Sequence, residues 1–452
     1  MKSNVLFLLI DSFRADYFYD HKKSFCTPNI DQLIKKGTYF TQSISCADGT
    51  AVAMGGIFTG LYPTNSGINS YKFKSKKPNY FNHLQKLGYN IFTTLPNYAG
   101  VDLVLSAYLK QTGNNFQSKF ERLDAGYGDD ILKRLSTDNL KEPWFHFMYL
   151  GDLHMSNVTR TMDIPKQFDS EKFGKNKFER SISVIDHWLG KFLEKIDLES
   201  TLVIITADHG DYIPINDIRP HHFTPEFTKS VNIAKNLLPK PLWPLTKKIV
   251  KQLRAKIQEK RFNEATKNFT QLEKRSLRTR AGWYLYDDLV HTPLLFCGNN
   301  VLNDKLINNQ VGNVDIFPTI LDLLDLPPID GDTDGASLVP LLRGESCSSN
   351  PIYLETASID VDDMLGKMVG IRTSEYKYFR SRKSFKENIH LYDLKNDPLE
   401  ENNLAKIDFE LVKNMELILS NFLVTLDVDA SEELSDEESR VVENELKRLG
   451  YM

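Results

Sequence analysis

A chain of 452 residues with 41% hydrophobic and 26% charged residues has the composition of a globular protein with a sizeable core, at a length that large α/β enzymes reach around one extended sheet. Its formal net charge of -4 gives no overall electrostatic case for nucleic acid as a partner. The four cysteines, Cys26, Cys46, Cys297 and Cys347, are too few and too scattered for a disulfide framework or a zinc knuckle, so a reducing compartment is expected.

Residues 5–10 form a continuous apolar run that stops at Asp11. The run is short for a signal h-region and far short of a membrane span, and no other stretch is long and apolar enough to cross a bilayer. A cytoplasmic protein is therefore expected. The same run has the character of a central parallel strand, with Asp11-Ser-Phe-Arg-Ala-Asp16 at its carboxyl end, the edge where open α/β sheets bind ligands. Residues 27–37 then read as a short helix closed by Gly37, and 38–44 as a strand. That strand leads into Ser45-Cys-Ala-Asp-Gly-Thr50, a loop that tips into a helix. A hydroxyl at such a boundary is either an ordinary N-cap or, beside the unpaired N–H groups and positive dipole of a helix start, a nucleophile poised next to an anion pocket.

Residues 80–87 repeat the theme as a helix with Gly88 as its cap, followed by a strand at 90–95. A buried strand at 144–150 delivers Gly151-Asp-Leu-His154. Residues 177–195 have helical periodicity, with Ile182, Ile185, Leu189, Phe192 and Leu193 on one face, and the strand at 201–206 hands over to Ala207-Asp-His-Gly210. Three separate strands thus end in polar, ligand-capable residues. Between 240 and 280, 13 Lys and Arg face three Glu, and Leu245, Ile249, Leu253 and Ile257 recur at helical spacing. That pattern predicts a basic amphipathic helix, either packed on its parent domain as a solvated face or docked peripherally on an anionic membrane or polyanion. A strand at 294–297 and a helix at 316–324, with Pro318 in its first turn, follow. Strand-like runs at 371–373, 376–379 and 389–392 point to a smaller C-terminal unit, and Ser435-Asp-Glu-Glu438 and Gly450 to a terminal acidic helix. The organisation expected is a catalytic domain over 1–350 carrying the basic insert 240–281, a subdomain over 351–425, and the acidic helix over 426–452.

Asp11, Thr50, Asp208 and His209 together supply two carboxylates, an imidazole and a hydroxyl. Hard oxygen donors with one imidazole suit Mn²⁺ or Zn²⁺ first, with Ca²⁺ or Mg²⁺ as alternatives, and disfavour a thiolate-loving ion. Such a cation beside Thr50 would lower the hydroxyl pKa and offset charge on ester oxygens.

Several runs occur in family order: Asn4-Val-Leu-Phe-Leu-Leu-Ile-Asp-Ser-Phe-Arg-Ala-Asp16, Thr27-Pro-Asn-Ile-Asp-Gln-Leu33, Thr59-Gly-Leu-Tyr-Pro63, Ala207-Asp-His-Gly210, Leu285-Tyr-Asp-Asp-Leu-Val-His-Thr-Pro-Leu-Leu295 and Asp334-Gly-Ala-Ser-Leu-Val-Pro-Leu-Leu342. In these the chain resembles the sulfatase family of the alkaline phosphatase superfamily, over nearly its whole length apart from the basic insert. The resemblance implies a large, mostly parallel mixed sheet sandwiched by helices, with a smaller C-terminal α+β subdomain. It implies Asp11, Asp208 and His209 as metal ligands, and Thr50 as metal-bound nucleophile. It also implies His154 as a group that contacts the ester or protonates its leaving oxygen, and His221 and His222 as substrate-facing histidines.

The sequence departs from that family at the nucleophile. Sulfatases of the main type carry Cys-x-Pro-x-Arg, whose Cys or Ser becomes formylglycine; the matching run here is Thr50-Ala-Val-Ala-Met54. Thr cannot yield that aldehyde, the second acid of the usual Asp-Asp pair is Ser12, and Leu95-Pro-Asn97 stands where Gly-Lys is usual. A formylglycine hydrate expels sulfate by collapsing to an aldehyde, whereas a phospho-Thr can be opened in line by water or an acceptor alcohol. The expected activity is cleavage or transfer of a small-molecule, glycan- or lipid-linked phosphoester, a diester first. The alternatives are sulfate ester hydrolysis without formylglycine, and a non-catalytic membrane-surface or polyanion-binding protein on the same fold.

Overall fold

All seven residues of β1 (Asn4–Ile10) are buried, and the strand lies inside the main sheet. A strand covered on both faces needs no polar side, which is why its sequence after Asn4 is unbroken Val, Leu, Phe and Ile. The computed structural model describes residues 2–213, 257–277, 284–424 and 431–432, apart from 21–22, 24, 71, 73, 76, 98–103, 106, 109–113, 136–139, 157–162, 258, 346, 348, 358 and 361–364. The chain divides into two units, residues 1–211 with 281–452, and residues 212–280.

In the first unit β1 is followed by β2 (Gly37–Ile44), β3 (Lys74–Ser75), β4 (Asn90–Leu95), β5 (Asn115–Gln117), β6 (Trp144–Leu150), β7 (Thr201–Thr206), β8 (His291–Gly298) and β9 (Lys305–Gly312). Eight of these, all but β3, form one sheet in the order β5-β4-β6-β1-β7-β8-β2-β9. Within it β8 alone runs antiparallel to its neighbours, Thr206 pairing with Leu294 and Ile44 with His291. The carboxyl ends of β6, β1, β7 and β2 therefore share one edge of the sheet.

Alternation along β1 sends Val5, Phe7 and Leu9 to one face and Leu6, Leu8 and Ile10 to the other. On the first face an aromatic cluster holds the helices Thr50–Thr59, Tyr80–Lys86 and Ile316–Leu323: ring centroids lie 5.7 Å apart for Phe7 and Phe317, 5.5 Å for Phe58 and Phe147, and 4.9 Å for Tyr80 and Phe317. On the second face the helices Pro28–Lys35 and Lys177–Leu193 are tied together by Asp186, which accepts from Ile30 N at 2.8 Å and from Asn29 Nδ2 at 2.9 Å. Aromatic pairs of this kind contribute about 0.5–1.5 kcal/mol beyond their buried area, so the helix that begins at Thr50 has a rigid seat.

The C-terminal part adds β10 (Ile352–Glu355), β11 (Ile359–Asp360), β12 (Leu365–Gly366), β13 (Met368–Arg372), β14 (Tyr376–Ser381) and β15 (His390–Asp393), with an antiparallel sheet in the order β10-β13-β14-β15. The helix Phe409–Leu423 is pinned to it by Glu416, which meets Arg380 at 2.6 Å and Tyr378 at 2.7 Å.

Most expected elements are present within a few residues of the positions read from the sequence. Gly37 is a correction, because the helix Pro28–Lys35 ends at Lys36 and Gly37 opens β2. Its lack of a side chain is required by β8, since a Cβ there would stand 2.3 Å from Phe296 O. The strand expected at 294–297 runs from His291 to Gly298. Among the described strands, β5, the polar edge strand β9 and β10 had no counterpart in the sequence reading, nor had the two-residue strands β3, β11 and β12.

In the second unit residues 259–265 are helical, and the helix Gln271–Ser276 starts with a capping box between Thr270 and Glu273. His221, His222 and residues 240–256 of the predicted basic helix lie outside the described residues, as does the acidic C-terminal segment apart from Ser431 and Glu432. No helix among the described residues is long and apolar enough to cross a membrane.

Candidate active site

Two strand ends bring the acids together. The chain leaves β1 at Asp11 and β7 at Ala207-Asp208-His209, and these neighbouring strands run parallel, so both sets emerge on the same side. One ligand atom each from Asp11, Asp208 and His209 lies within 4.8 Å of the others, and all three side chains are buried. His209 Nε2 is 3.4 Å from Asp208 Oδ2 and 3.7 Å from Asp11 Oδ1. On the far side of the ring, Nδ1 is 2.9 Å from Gly210 O, and because a carbonyl only accepts, Nδ1 carries the proton. In the neutral ring this turns the Nε2 lone pair toward the two acids, the arrangement of a metal-ligating imidazole. Gly210 is required here, because a Cβ would fall 2.2 Å from Asp288 O.

Thr50 joins the cluster from β2. The N-cap of the helix Thr50–Thr59 is Gly49, with extended backbone, and Thr50 is the first helical residue. The hydroxyl therefore does not cap its own helix. Its Oγ1 lies 3.2 Å from His209 Nε2 and, given the tautomer, donates to it. The loop ahead of it is clamped from two sides. Asn313, just past β9, accepts from Cys46 N at 3.1 Å and donates to Ala53 O at 3.1 Å. The edge of β10 meets the loop through Glu355 N to Cys46 O at 2.9 Å, and Ala357 N donates to Asp48 Oδ1 at 2.6 Å. Cys46, in this loop, is fully buried, and burial pushes its thiol up to about 12, which disfavours the reactive thiolate.

His154 arrives from β6 through the short turn Asp152–His154 and is buried, its Nδ1 3.4 Å from Asp11 Oδ2. Thus Asp11, Thr50, His154, Asp208 and His209 form one constellation. Two members were not assigned a role from the sequence. Tyr149, read only as a strand residue, donates its hydroxyl to Asp11 Oδ2 at 2.5 Å. Ser12, noted only as a missing acid, donates its hydroxyl to Asp11 Oδ1 at 2.7 Å and its N–H to Asp208 Oδ1 at 3.3 Å. To do both, Ser12 takes φ +65°, a left-handed conformation uncommon outside Gly and Asn. Arg14, in the same turn, is engaged by Asp16 at 2.7 Å and Asp288 at 2.5 Å.

The donor set fits a divalent cation. Two carboxylates and an imidazole, all buried and converging with one ligand atom each within 4.8 Å of the others, are a hard-oxygen and nitrogen donor set that suits a 2+ ion. Asp11, Asp208 and His209 are the residues that would hold it, with Thr50 alongside. Among the described residues this is the one such cluster of three metal-type side chains. His291, another imidazole available from the sequence, is instead 2.8 Å from Thr41 O.

A mostly parallel sheet covered by helices, with acids, an imidazole and a helix-starting hydroxyl gathered at its carboxyl edge, is the architecture of the alkaline phosphatase superfamily. Within it the chain belongs to the sulfatase family: the sequence model of the Sulfatase domain matches residues 3–326, and that of the N-sulphoglucosamine sulphohydrolase C-terminal region matches 280–424. It is a sulfatase-family hydrolase. Arylsulfatase K of Gallus gallus is 24% identical over 463 residues, covering 93% of this chain and 82% of that protein. A Delta 4,5-hexuronate-2-O-sulfatase of Bacteroides thetaiotaomicron is 31% identical over 127 residues, 27% of this chain and 25% of the relative. Among solved structures, a 2-O GAG sulfatase superposes with a TM-score of 0.67 at 15% identity, covering 97% of this chain and 96% of that one. The phosphonate monoester hydrolase of Agrobacterium radiobacter gives 0.62 at 16%, covering 96% and 100%.

Proposed function

We propose that this chain is a divalent-metal-dependent hydrolase or transferase that cleaves a phosphoester, a phosphodiester first, with Thr50 as nucleophile. The observation that carries the reading is the Thr50 hydroxyl at a helix N-terminus, 3.2 Å from His209 Nε2 and beside Asp11 and Asp208. When bound there, a Mn²⁺ or Zn²⁺ ion supplies Lewis acidity and favours the Thr50 alkoxide. Thr50 Oγ gives up its proton to solvent and forms the new bond to phosphorus as the bond from phosphorus to the leaving oxygen breaks. His154, its Nδ1 steadied by Asp11 Oδ2, gives a proton to that oxygen. In the second step water or an acceptor alcohol attacks the phospho-Thr, His154 takes a proton from the attacking oxygen, the bond from phosphorus to Thr50 Oγ breaks, and Oγ regains a proton from solvent.

Charge supports a diester over a monoester. At the position where sulfatases of the main type carry Arg, this chain has Met54, which is fully buried in the apolar cluster around Phe7. At the place of the usual Lys stands the end of β4 with Leu95-Pro-Asn97. A site short of these two cations is matched to a monoanionic ester, since each further negative charge on the ligand would meet Asp11 and Asp208 with less compensation.

A second reading, hydrolysis of a sulfate ester by unmodified Thr50, is favoured by the relatives, which are named as sulfatases. The names of two of them, a hexuronate and a GAG sulfatase, support a glycan as the organic part of the substrate. Assaying the protein with Mn²⁺ or Zn²⁺ on an aryl phosphodiester, a phosphomonoester and a sulfate separates the readings. Diester turnover is expected to dominate, and turnover of sulfate alone would overturn the phosphorus reading. Thr50→Ala is expected to lower turnover by at least about a thousandfold with the melting temperature retained, because Ala suits a first helical position. Full activity in that variant would remove Thr50 from the chemistry.

A further inference from the structure

The two oxygens of Asp11 have different surroundings. Oδ1 is on the side of His209 Nε2, 3.7 Å away, and accepts the Ser12 hydroxyl at 2.7 Å. Oδ2 is turned the other way, 2.5 Å from the Tyr149 hydroxyl and 3.4 Å from His154 Nδ1. Tyr149 is fully buried as the next-to-last residue of β6, a strand that pairs in parallel with β1 so that Tyr149 stands beside Leu9. Its ring position is thus fixed by the sheet, and its hydroxyl reaches past the end of β1 to Asp11. Its backbone is fixed as well, Tyr149 O accepting from the Tyr127 hydroxyl at 2.8 Å.

We propose that Tyr149 and Ser12 are positioning residues for the cation: their two hydroxyls fix the rotation of the Asp11 carboxylate, so that Oδ1 is presented beside Asp208 and His209 while Oδ2 is kept for His154. Ser12 adds a second constraint, because the same residue that donates its hydroxyl to Asp11 donates its N–H to Asp208, and one strained residue therefore sets the spacing of both acids. Neutral hydroxyls do this without adding a third buried negative charge. A carboxylate free to rotate would lose alignment with two partners at once. Hydrogen-bonding groups behind a metal ligand typically hold about 10–100-fold of the affinity.

This inference rests on the metal reading of the preceding section, and the two fail differently. Isothermal titration of the metal-free protein with Mn²⁺ alone, with and without Tyr149→Phe, tests it. The Phe variant keeps the buried ring and removes one oxygen. A Kd raised about tenfold or more, with the melting temperature of the metal-free protein unchanged to within about 2 °C, is the expected result. Ser12→Ala, which keeps the backbone donor and removes the hydroxyl, is expected to shift the Kd in the same direction, and it serves where the Phe variant does not fold. Wild-type affinity in both variants would overturn the proposal while leaving the metal site standing. A wild-type protein that takes up neither Mn²⁺ nor Zn²⁺ would overturn the metal reading itself and this proposal with it. A purely structural role for Tyr149 predicts a lower melting temperature of the metal-free variant with an unchanged Kd, and that outcome also counts against positioning.

Discussion

Asp152, two residues before His154, is fully buried, and one of its carboxylate oxygens accepts from Leu123 N at 3.1 Å while Oδ2 has no hydrogen-bond partner among the described residues. Burial pushes its carboxyl up to about 7 against the Leu123 hydrogen bond, with Asp124 adding to the rise. Between about pH 4 and that value the folded chain keeps a proton that the unfolded chain has released. The associated stability is therefore fully present at the acid end of this window and falls as pH rises through it, by up to about 1.4 kcal/mol per pH unit. Thermal melts from pH 5 to 8 are expected to show a decline that Asp152→Asn flattens; an equally steep decline in the Asn variant would place the titrating group elsewhere. Thr50 was legible at this scale because loop, glycine and hydroxyl are contiguous in sequence. Tyr149 was not, because an aromatic residue near the end of a buried strand reads as core, and its hydroxyl contact with Asp11 spans 138 positions.

The helix Thr50–Thr59 depends on its neighbours for the placement of its first residue. Eight of its ten residues are buried, and Gly56 lets it approach the loop so closely that a Cβ would meet Cys46 Sγ at 2.7 Å. Asn313 joins the two ends of that approach, bonding Cys46 N ahead of the turn and Ala53 O within the helix. Asn313→Ala leaves buried backbone groups on both sides without their partner. An expected cost of about 2 kcal/mol follows, read by denaturant melts. Because the loop that carries Thr50 loosens, kcat is expected to fall more than KM rises; a variant with reduced stability and unchanged kcat would show that the clamp does not position Thr50. The apolar runs that make β1, β6 and β7 announced themselves, since strands covered on both faces need consecutive hydrophobic residues. The edge strand β9, Lys-Leu-Ile-Asn-Asn-Gln-Val-Gly, is polar where it meets solvent and carries no such run.

In the first unit, the short helix Asp287–Val290 that leads into β8 and the C-terminal sheet share a buried ion network. Lys377 of β14 contacts Asp287 and meets Glu400 at 2.8 Å, and Arg372 of β13 meets Asp287 at 2.8 Å. Burial alone would raise the Asp287 carboxyl, but the adjacent Arg372 and Lys377 charges outweigh it and hold the group well below the usual carboxylate range. Its contribution is present above about pH 4 and is lost as pH falls toward the depressed folded value. Lys377→Ala takes a buried ammonium away from Asp287 and Glu400 together, and a loss of about 3–5 kcal/mol is expected by chemical denaturation. A cost below about 1 kcal/mol, the value of a surface pair, would show that the network does not join that helix to the C-terminal sheet. The consequence reaches the active site because β10, in the same C-terminal sheet, bonds the loop that carries Thr50.

Most of the buried strands and helices of the first unit, the apolar core of the main sheet, and Asp11, Thr50, His154, Asp208 and His209 as candidates at the sheet edge were legible in the sequence alone. Local chemistry suffices for these: an apolar run sets a buried strand, and the polar residue that ends it must lie at the sheet edge. Pairing over long separations was decided only by the tertiary structure. It set the antiparallel direction of β8, the docking of β10 on the loop that carries Thr50, the role of Gly37 and the two hydroxyl contacts on Asp11. Hydrogen bonds and close approaches between distant segments leave no periodic trace in the chain, because each side alone is compatible with many partners.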